Sequence, residues 1–225
     1  NGINHTWFLE TETLQNATLP VRKQPTASSL DNEGRATECE TVSMDMSEWM
    51  EHRCDDTLYL KDWHFQLWFE QLQHGITDPL YSVPEHFEYD LLNGFLRQFT
   101  NGDFRFVYWG PAGSTTSLHS DVLNSFSWSF NVAGVKEWEF HIDNRTISLR
   151  QKAGELIVVP STSKRSVMTV QETLSINHNW ITTANLDLVW ECLETEMGAV
   201  EAELEAWNML GDYEARENML RGCVG

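Results

Sequence analysis

Residues 126–140 read FSWSFNVAGVKEWEF, and this stretch decides the fold. Phe126, Trp128, Phe130 and Val132 alternate with Ser125, Ser127, Ser129 and Asn131. A period of two belongs to an extended strand, whose successive side chains point to opposite faces. One face here is bulky and the other small and polar, which leaves room for a ligand inside a closed sheet. Gly134 reads as the end of this strand, and Trp138, Phe140 and Ile142 resume the alternation beyond it.

Further strands flank this core. Phe104–Tyr108 is rich in aromatic and β-branched residues, bounded by Gly102 and by Gly110-Pro111. Residues 57–60, 154–160 and 173–180 read the same way. Several short strands with turn signals predict a β-sandwich or barrel. Between Asp62 and Phe99 the aromatics lose period two and are punctuated by Gly75, Pro79 and Pro84, which predicts short helices and loops. A short helix is expected to end before Cys54, with Ser43 or Asp45 as its cap. The stretch 24–41, made largely of Ser, Thr, Asn, Gly and Glu with few large apolar residues, reads as a mobile surface loop. Toward the C-terminus, Leu186, Val189, Trp190, Leu193, Met197, Val200, Leu204 and Trp207 recur at spacings of three and four, the stripe of an amphipathic helix. Core packing or a dimer seam is the expected use of that stripe. The chain divides accordingly into a flank over 1–56, a barrel over 57–182 and an acidic helical region over 183–225.

Composition narrows the function. Fifteen Lys and Arg against thirty-four Asp and Glu give a net charge of −19 over 225 residues. That balance argues against nucleic acid, which requires cations to displace counterions from phosphate, and against a basic membrane anchor. The acidity sits mostly at two places: residues 31–56 carry −7 and residues 187–225 carry −8, leaving −4 for the rest. No run of eighteen apolar residues exists, so no bilayer-spanning helix is expected. The chain opens on Asn1 without a secretory signal pattern, as a fragment or processed chain would. Cys39, Cys54, Cys192 and Cys223 show neither CxxC nor zinc spacing, so reduced thiols in the cytoplasm or nucleus are expected. Glycosylation triplets at Asn4, Asn16 and Asn144 carry little weight without a secretion signal.

The chemistry-bearing pattern is Gly113-Ser-Thr-Thr-Ser-Leu-His119-Ser-Asp121. On a strand, His119 and Asp121 project from one face, two thirds of the 2-His-1-carboxylate set that leaves open positions on Fe(II). By itself His-x-Asp is weak, and an ordinary polar strand end is the readier reading. Lys136 has two equal readings, a buried contact for an anion or a solvent-facing residue in a turn.

The string from Phe104 to Trp138, FRFVYWGPAGSTTSLHSDVLNSFSWSFNVAGVKEW, resembles the heart of a JmjC domain, most closely the Jumonji-domain-containing protein 4 branch. TLYLKDWH at 57–64, GELIVVPS at 154–161, SINHNW at 175–180 and the acidic helix extend the resemblance from about Thr41 to Gly225. It implies a mainly β fold with flanking helices: a double-stranded β-helix, or cupin-like barrel, with a C-terminal helical region. It also implies Fe(II) and 2-oxoglutarate as cofactors. The implied activity is lysyl hydroxylation of a protein substrate, a translation termination (release) factor. By position, His119 and Asp121 match iron ligands, Thr116 and Lys136 match binders of the 2-oxoglutarate carboxylate, and Tyr59, Ser129 and Asn179 line that pocket.

The chain departs from the family in two ways: the segment between Ile142 and Gly154 is much shorter, and the third ligand position differs. After the Val-Pro-Ser strand end the family runs Gly-Trp-x-His-x-Val, whereas Thr162 to Val167 here read TSKRSV, which places Arg165 where the third ligand belongs. A guanidinium stays charged and has no lone pair for iron. His178 is already a family position, and His141 is a remote substitute. Either the chain is an oxygenase with atypical or water-completed coordination, or its chemistry is impaired or absent and the barrel serves as a binding scaffold. The Arg favours the second. A splice difference over 142–171 is the remaining alternative.

Overall fold

The computed structural model describes residues 3, 5–15, 17–24, 40–72, 81–143 and 145–210. Two long strands organise it. β6 and β9 span Phe126–Ile142 and Lys164–Trp180, and they pair antiparallel from Phe126 opposite Trp180 to His141 opposite Lys164. Each is bordered by two shorter strands in succession. β8 (Leu156–Val159) pairs the first part of β6, and β7 (Arg145–Lys152) pairs its second part. On the far edge of β9, β5 (Thr115–His119) precedes β4 (Arg105–Gly110). β3 (Leu58–Trp63), β1 (Leu19–Lys23) and β2 (Thr41–Met44) continue outward from β4. Because β6 and β9 pass through both a larger and a smaller sheet, the two sheets share their central strands and enclose a space. This is the double-stranded β-helix that the resemblance implies.

The crossing from one sheet to the other corrects the sequence reading of Gly134. β6 does not end there. Its register against β9 shifts repeatedly between Asn131 and Lys136, and Gly134 adopts φ +83° at the centre of this bulge. A Cβ at Gly134 would lie 2.0 Å from the Glu172 carbonyl oxygen, so close approach of β9 as well as backbone conformation demands glycine.

Helices cover the outer face of the larger sheet. α1 (His5–Glu10), α2 (Glu12–Gln15), α3 (Met46–His52) and α4 (Phe65–Leu72) accompany a core in which Leu19, Val21, Met46, Trp49, Leu60 and Trp109 are fully buried. α3 starts at Asp45, whose Oδ1 accepts from the Glu48 amide at 2.8 Å, as the cap reading expects. Since Leu58, Leu60, Val107 and Trp109 point into this core, period two turns Tyr59, Lys61 and Tyr108 toward the barrel interior.

α5 (Leu91–Phe99) and α6 (Leu186–Leu210) meet at a small cluster of Leu92, Ile181 and Val189. Only the first turn of the α6 stripe is used this way: Trp190 and Met197 remain 62% and 61% exposed. Core packing therefore accounts for Val189 and not for the stripe as a whole; the side chain of Trp207 lies outside the described residues. So do the loop core at 25–39, Cys39, Cys223 and the three glycosylation asparagines. Cys54 is exposed and Cys192 half-buried, both as free thiols. Among the described residues no helix is long and apolar enough to cross a membrane.

Candidate functional site

A cavity of about 60 Å³ lies between the two sheets. Tyr59, Thr116, His119, Asp121, Ser129, Lys136, Arg165 and Asn179 all border it. The eight positions singled out in the sequence thus meet at one place, brought there by β3, β5, β6, β9 and the turn after β5.

At one end stands Lys136, 2% exposed, which overturns the solvent-facing alternative. Its Nζ donates to Ser175 Oγ at 2.5 Å. It also lies 5.8 Å from the centroid of the Tyr108 ring, and Lys61 Nζ approaches the same ring at 5.8 Å. Burial first, and the nearby Lys61 charge second, push the Lys136 amine down to about 7. Tyr59 and Thr116 line this cavity together, and burial raises the Tyr59 phenol well above the usual range. Ser129 is 2% exposed and its Oγ has no hydrogen-bond partner. Asn179 borders the cavity with its amide turned to the wall, where Nδ2 donates to Ser125 Oγ at 3.0 Å.

The other end holds His119, Asp121 and Arg165. His119 Nδ1 donates to the Ser117 carbonyl at 2.7 Å, which leaves Nε2 as the lone-pair nitrogen. Asp121 accepts from Ser127 Oγ on Oδ2 at 2.7 Å and from Arg165 Nη2 on Oδ1 at 2.6 Å. The Arg165 and Asp121 side chains are 6% and 9% exposed, so this is a buried ion pair. Arg165 Nη2 also lies 3.4 Å from Ser127 Oγ, while its Nε is buried without a partner.

This donor set does not fit a three-ligand iron site. It offers one imidazole, one carboxylate already engaged by a cation, and a guanidinium with no lone pair. Among the described residues no three His, Cys, Asp or Glu side chains gather as a metal site would require. His178 does not fill the gap: it hydrogen-bonds the Tyr81 hydroxyl at 2.5 Å and stacks on Trp128 with centroids 4.1 Å apart. His141 is exposed near the far end of β6 and does not border the cavity. The dicarboxylate end is different. An orphaned Ser129 hydroxyl and a buried ammonium with one hydroxyl acceptor are groups an anion would satisfy, so the residues present fit a carboxylate there.

Lys61, Tyr108 and Asn177 also border the cavity and were not singled out from the sequence, whereas Ser127 belongs to the small polar face read on β6. Period two offered a signal for two of them: Lys61 follows Tyr59 by two on β3, and Asn177 precedes Asn179 by two on β9.

No family model matches the chain. Pairwise comparison does find relatives. The 2-oxoglutarate and iron-dependent oxygenase JMJD4 of Danio rerio is 33% identical over 204 residues, covering 75% of this chain and 47% of its own. The human JMJD4 oxygenase is 32% identical over 204 residues, covering 75% and 48%. The arginine-specific demethylase JMJ20 of Arabidopsis thaliana is 32% identical over 209 residues, covering 72% and 44%. The chain spans about half the length of the curated relatives it matches. Among solved structures, the Drosophila melanogaster CENP-C cupin domain covers 34% of this chain and 59% of its own at a TM-score of 0.31 and 9% identity, too slight an overlap to bear on the fold. At 33% identity over three quarters of its length, the chain belongs to the JmjC family.

Proposed function

We propose that this chain is a JmjC-family relative of the 2-oxoglutarate- and Fe(II)-dependent protein hydroxylases whose own iron-dependent turnover is impaired or absent. The names of its relatives support the cofactor pair, and the sequence resemblance supports a lysyl residue of a translation termination factor as the target of that branch. In this reading Thr116, Lys136, Tyr59, Ser129 and Asn179 form the co-substrate pocket, and His119 and Asp121 keep two of three metal positions. The observation that carries it is the buried ion pair between Arg165 and Asp121. A metal entering there would have to displace a guanidinium from its carboxylate and then accept one ligand too few.

Retention of the dicarboxylate end and of the acidic flanks supports a binding role, with a basic protein as the partner, attracted by the net charge of −19. Free thiols at Cys54 and Cys192 support a reducing compartment, cytoplasmic or nuclear.

Succinate formation tests the reading. Purified chain supplied with Fe(II), 2-oxoglutarate and a lysine-bearing release-factor peptide should release none above background, whereas Arg165→His should gain metal-dependent release. Turnover by the parent would overturn it.

A further inference from the structure

We propose that Arg165 stands in for the metal, so that the cavity binds a short dicarboxylate of the 2-oxo acid class without any metal ion. One carboxylate sits on Lys136 and Ser129 and the other on Arg165. The inference rests on the function proposed above, in that the site holds no iron, and it assigns what the site does instead.

Three cationic side chains, Lys61, Lys136 and Arg165, line a cavity whose one carboxylate is Asp121. That carboxylate is already occupied by Arg165 and Ser127. It therefore offsets the Arg165 charge, while the buried Lys136 ammonium, 5.8 Å from the Tyr108 ring centroid, has only the Ser175 hydroxyl as its hydrogen-bond acceptor. Two donors buried along the cavity lack partners, Ser129 Oγ at the Lys136 end and Arg165 Nε at the Asp121 end. Buried donors without partners are costly, and here they stand at opposite ends of one space.

The division of labour follows from guanidinium geometry. Arg165 gives Nη2 to Asp121, which fixes the plane of the fork, and keeps Nε–H for a second acceptor. A divalent ion would hold a 2-oxo acid by coordination; the guanidinium holds a carboxylate by a directed, charge-assisted hydrogen bond. Lys136 pairs Thr169 while Arg165 pairs Phe140, four residues along β6, so the two cations meet opposite ends of a ligand rather than one carboxylate. A monocarboxylate satisfies only one of them.

Isothermal titration of the full chain with 2-oxoglutarate in excess EDTA tests this. Saturable binding is expected, unchanged within about twofold when Mn(II) replaces EDTA, since loss of a charge-assisted contact and not of a metal sets the affinity. Lys136→Met should weaken it at least tenfold. Arg165→Gln combined with Asp121→Asn, which leaves a neutral hydrogen-bonding pair and is checked for folding by its melting transition, should also weaken it at least tenfold. Binding that appears only with Mn(II), absence of binding in both media, or a double variant that binds as tightly as the parent overturns the inference. Each of these outcomes leaves the succinate test untouched, so failure here is distinct from failure of the functional reading.

Discussion

His119 and Arg165 are Cα partners across β5 and β9, so one rung of the ladder sets an imidazole beside a guanidinium at the rim of the cavity. Burial, and then the Arg165 charge, hold the His119 imidazole below its ordinary pKa. The same guanidinium reaches Asp121, two residues further along the chain. One side chain thereby conditions both positions that match iron ligands.

The first prediction concerns the stability of that ion pair. Arg165→Ala leaves the Asp121 carboxylate buried with Ser127 as its remaining partner, and should cost about 3–5 kcal/mol. Asp121→Asn with Arg165→Gln removes both charges and should cost distinctly less. Urea unfolding of the three proteins measures the difference. Equal losses would show that charge compensation is not what the pair contributes.

Lys136 predicts a pH dependence. Its folded pKa of about 7 lies below the ordinary 10.5, so between these values the unfolded chain binds the extra proton and stability rises with pH. The slope from this one group approaches about 1.4 kcal/mol per pH unit within the window. Below pH 7 both states are protonated and the slope vanishes. Lys136→Met should flatten the profile from pH 7 to 10.5 in denaturant titrations. A parallel pair of profiles would refute the assignment.

His178 acts in the acid range. Burial, and then the charge of Arg105, depress its imidazole from 6.5 to about 3, which keeps the ring neutral against the Tyr81 hydroxyl and the Trp128 face. The folded state therefore resists the proton that the unfolded state takes up. Stability should fall as pH drops from 6.5 toward 3. His178→Asn should lessen that fall even though it lowers stability at pH 7, as acid-titrated circular dichroism would read out. An unaltered acid midpoint slope in the variant would contradict this.

Gly134→Ala tests the crossing of the sheets. A φ of +83° alone costs an alanine about 1–3 kcal/mol, and the Glu172 carbonyl at 2.0 Å adds to it. Gly154 shares the conformation (φ +83°) but nothing lies within 4 Å of its added Cβ. Gly154→Ala should therefore be milder in thermal unfolding. Equal effects would mean that φ, and not the neighbouring strand, is what constrains residue 134.

Much of the site was legible before the structure. The serine face of β6, the His119–Asp121 pair and the register of Arg165 all follow from period two and from the family pattern, since neighbours on a strand keep fixed relations. What escaped depends on distance along the chain. Gly134 is a turn signal and a bulge signal alike, and the choice between them is made by Glu172 on another strand. The Arg165–Asp121 contact joins residues 44 apart. Lys61 shares a face with Tyr59 by spacing, but that this face is the interior one shows only when Leu58 and Leu60 are seen to occupy the other. The stripe on α6 reads as core packing or a dimer seam alike, because periodicity reports a face without saying what covers it.

The shared strands also limit how this protein can change over evolutionary time. Ser127, Ser129, Lys136 and Trp138 reach the cavity from one strand, and Arg165, Val167, Asn177 and Asn179 from its partner. Inserting or deleting a single residue in either would reverse which face the later side chains present, unless a bulge like the one at Gly134 absorbed it. Substitution carries no such penalty, because it leaves the rest of the strand in place. The interior of this barrel is thus free to exchange one chemical group for another, as at position 165, while its spacing is nearly unalterable.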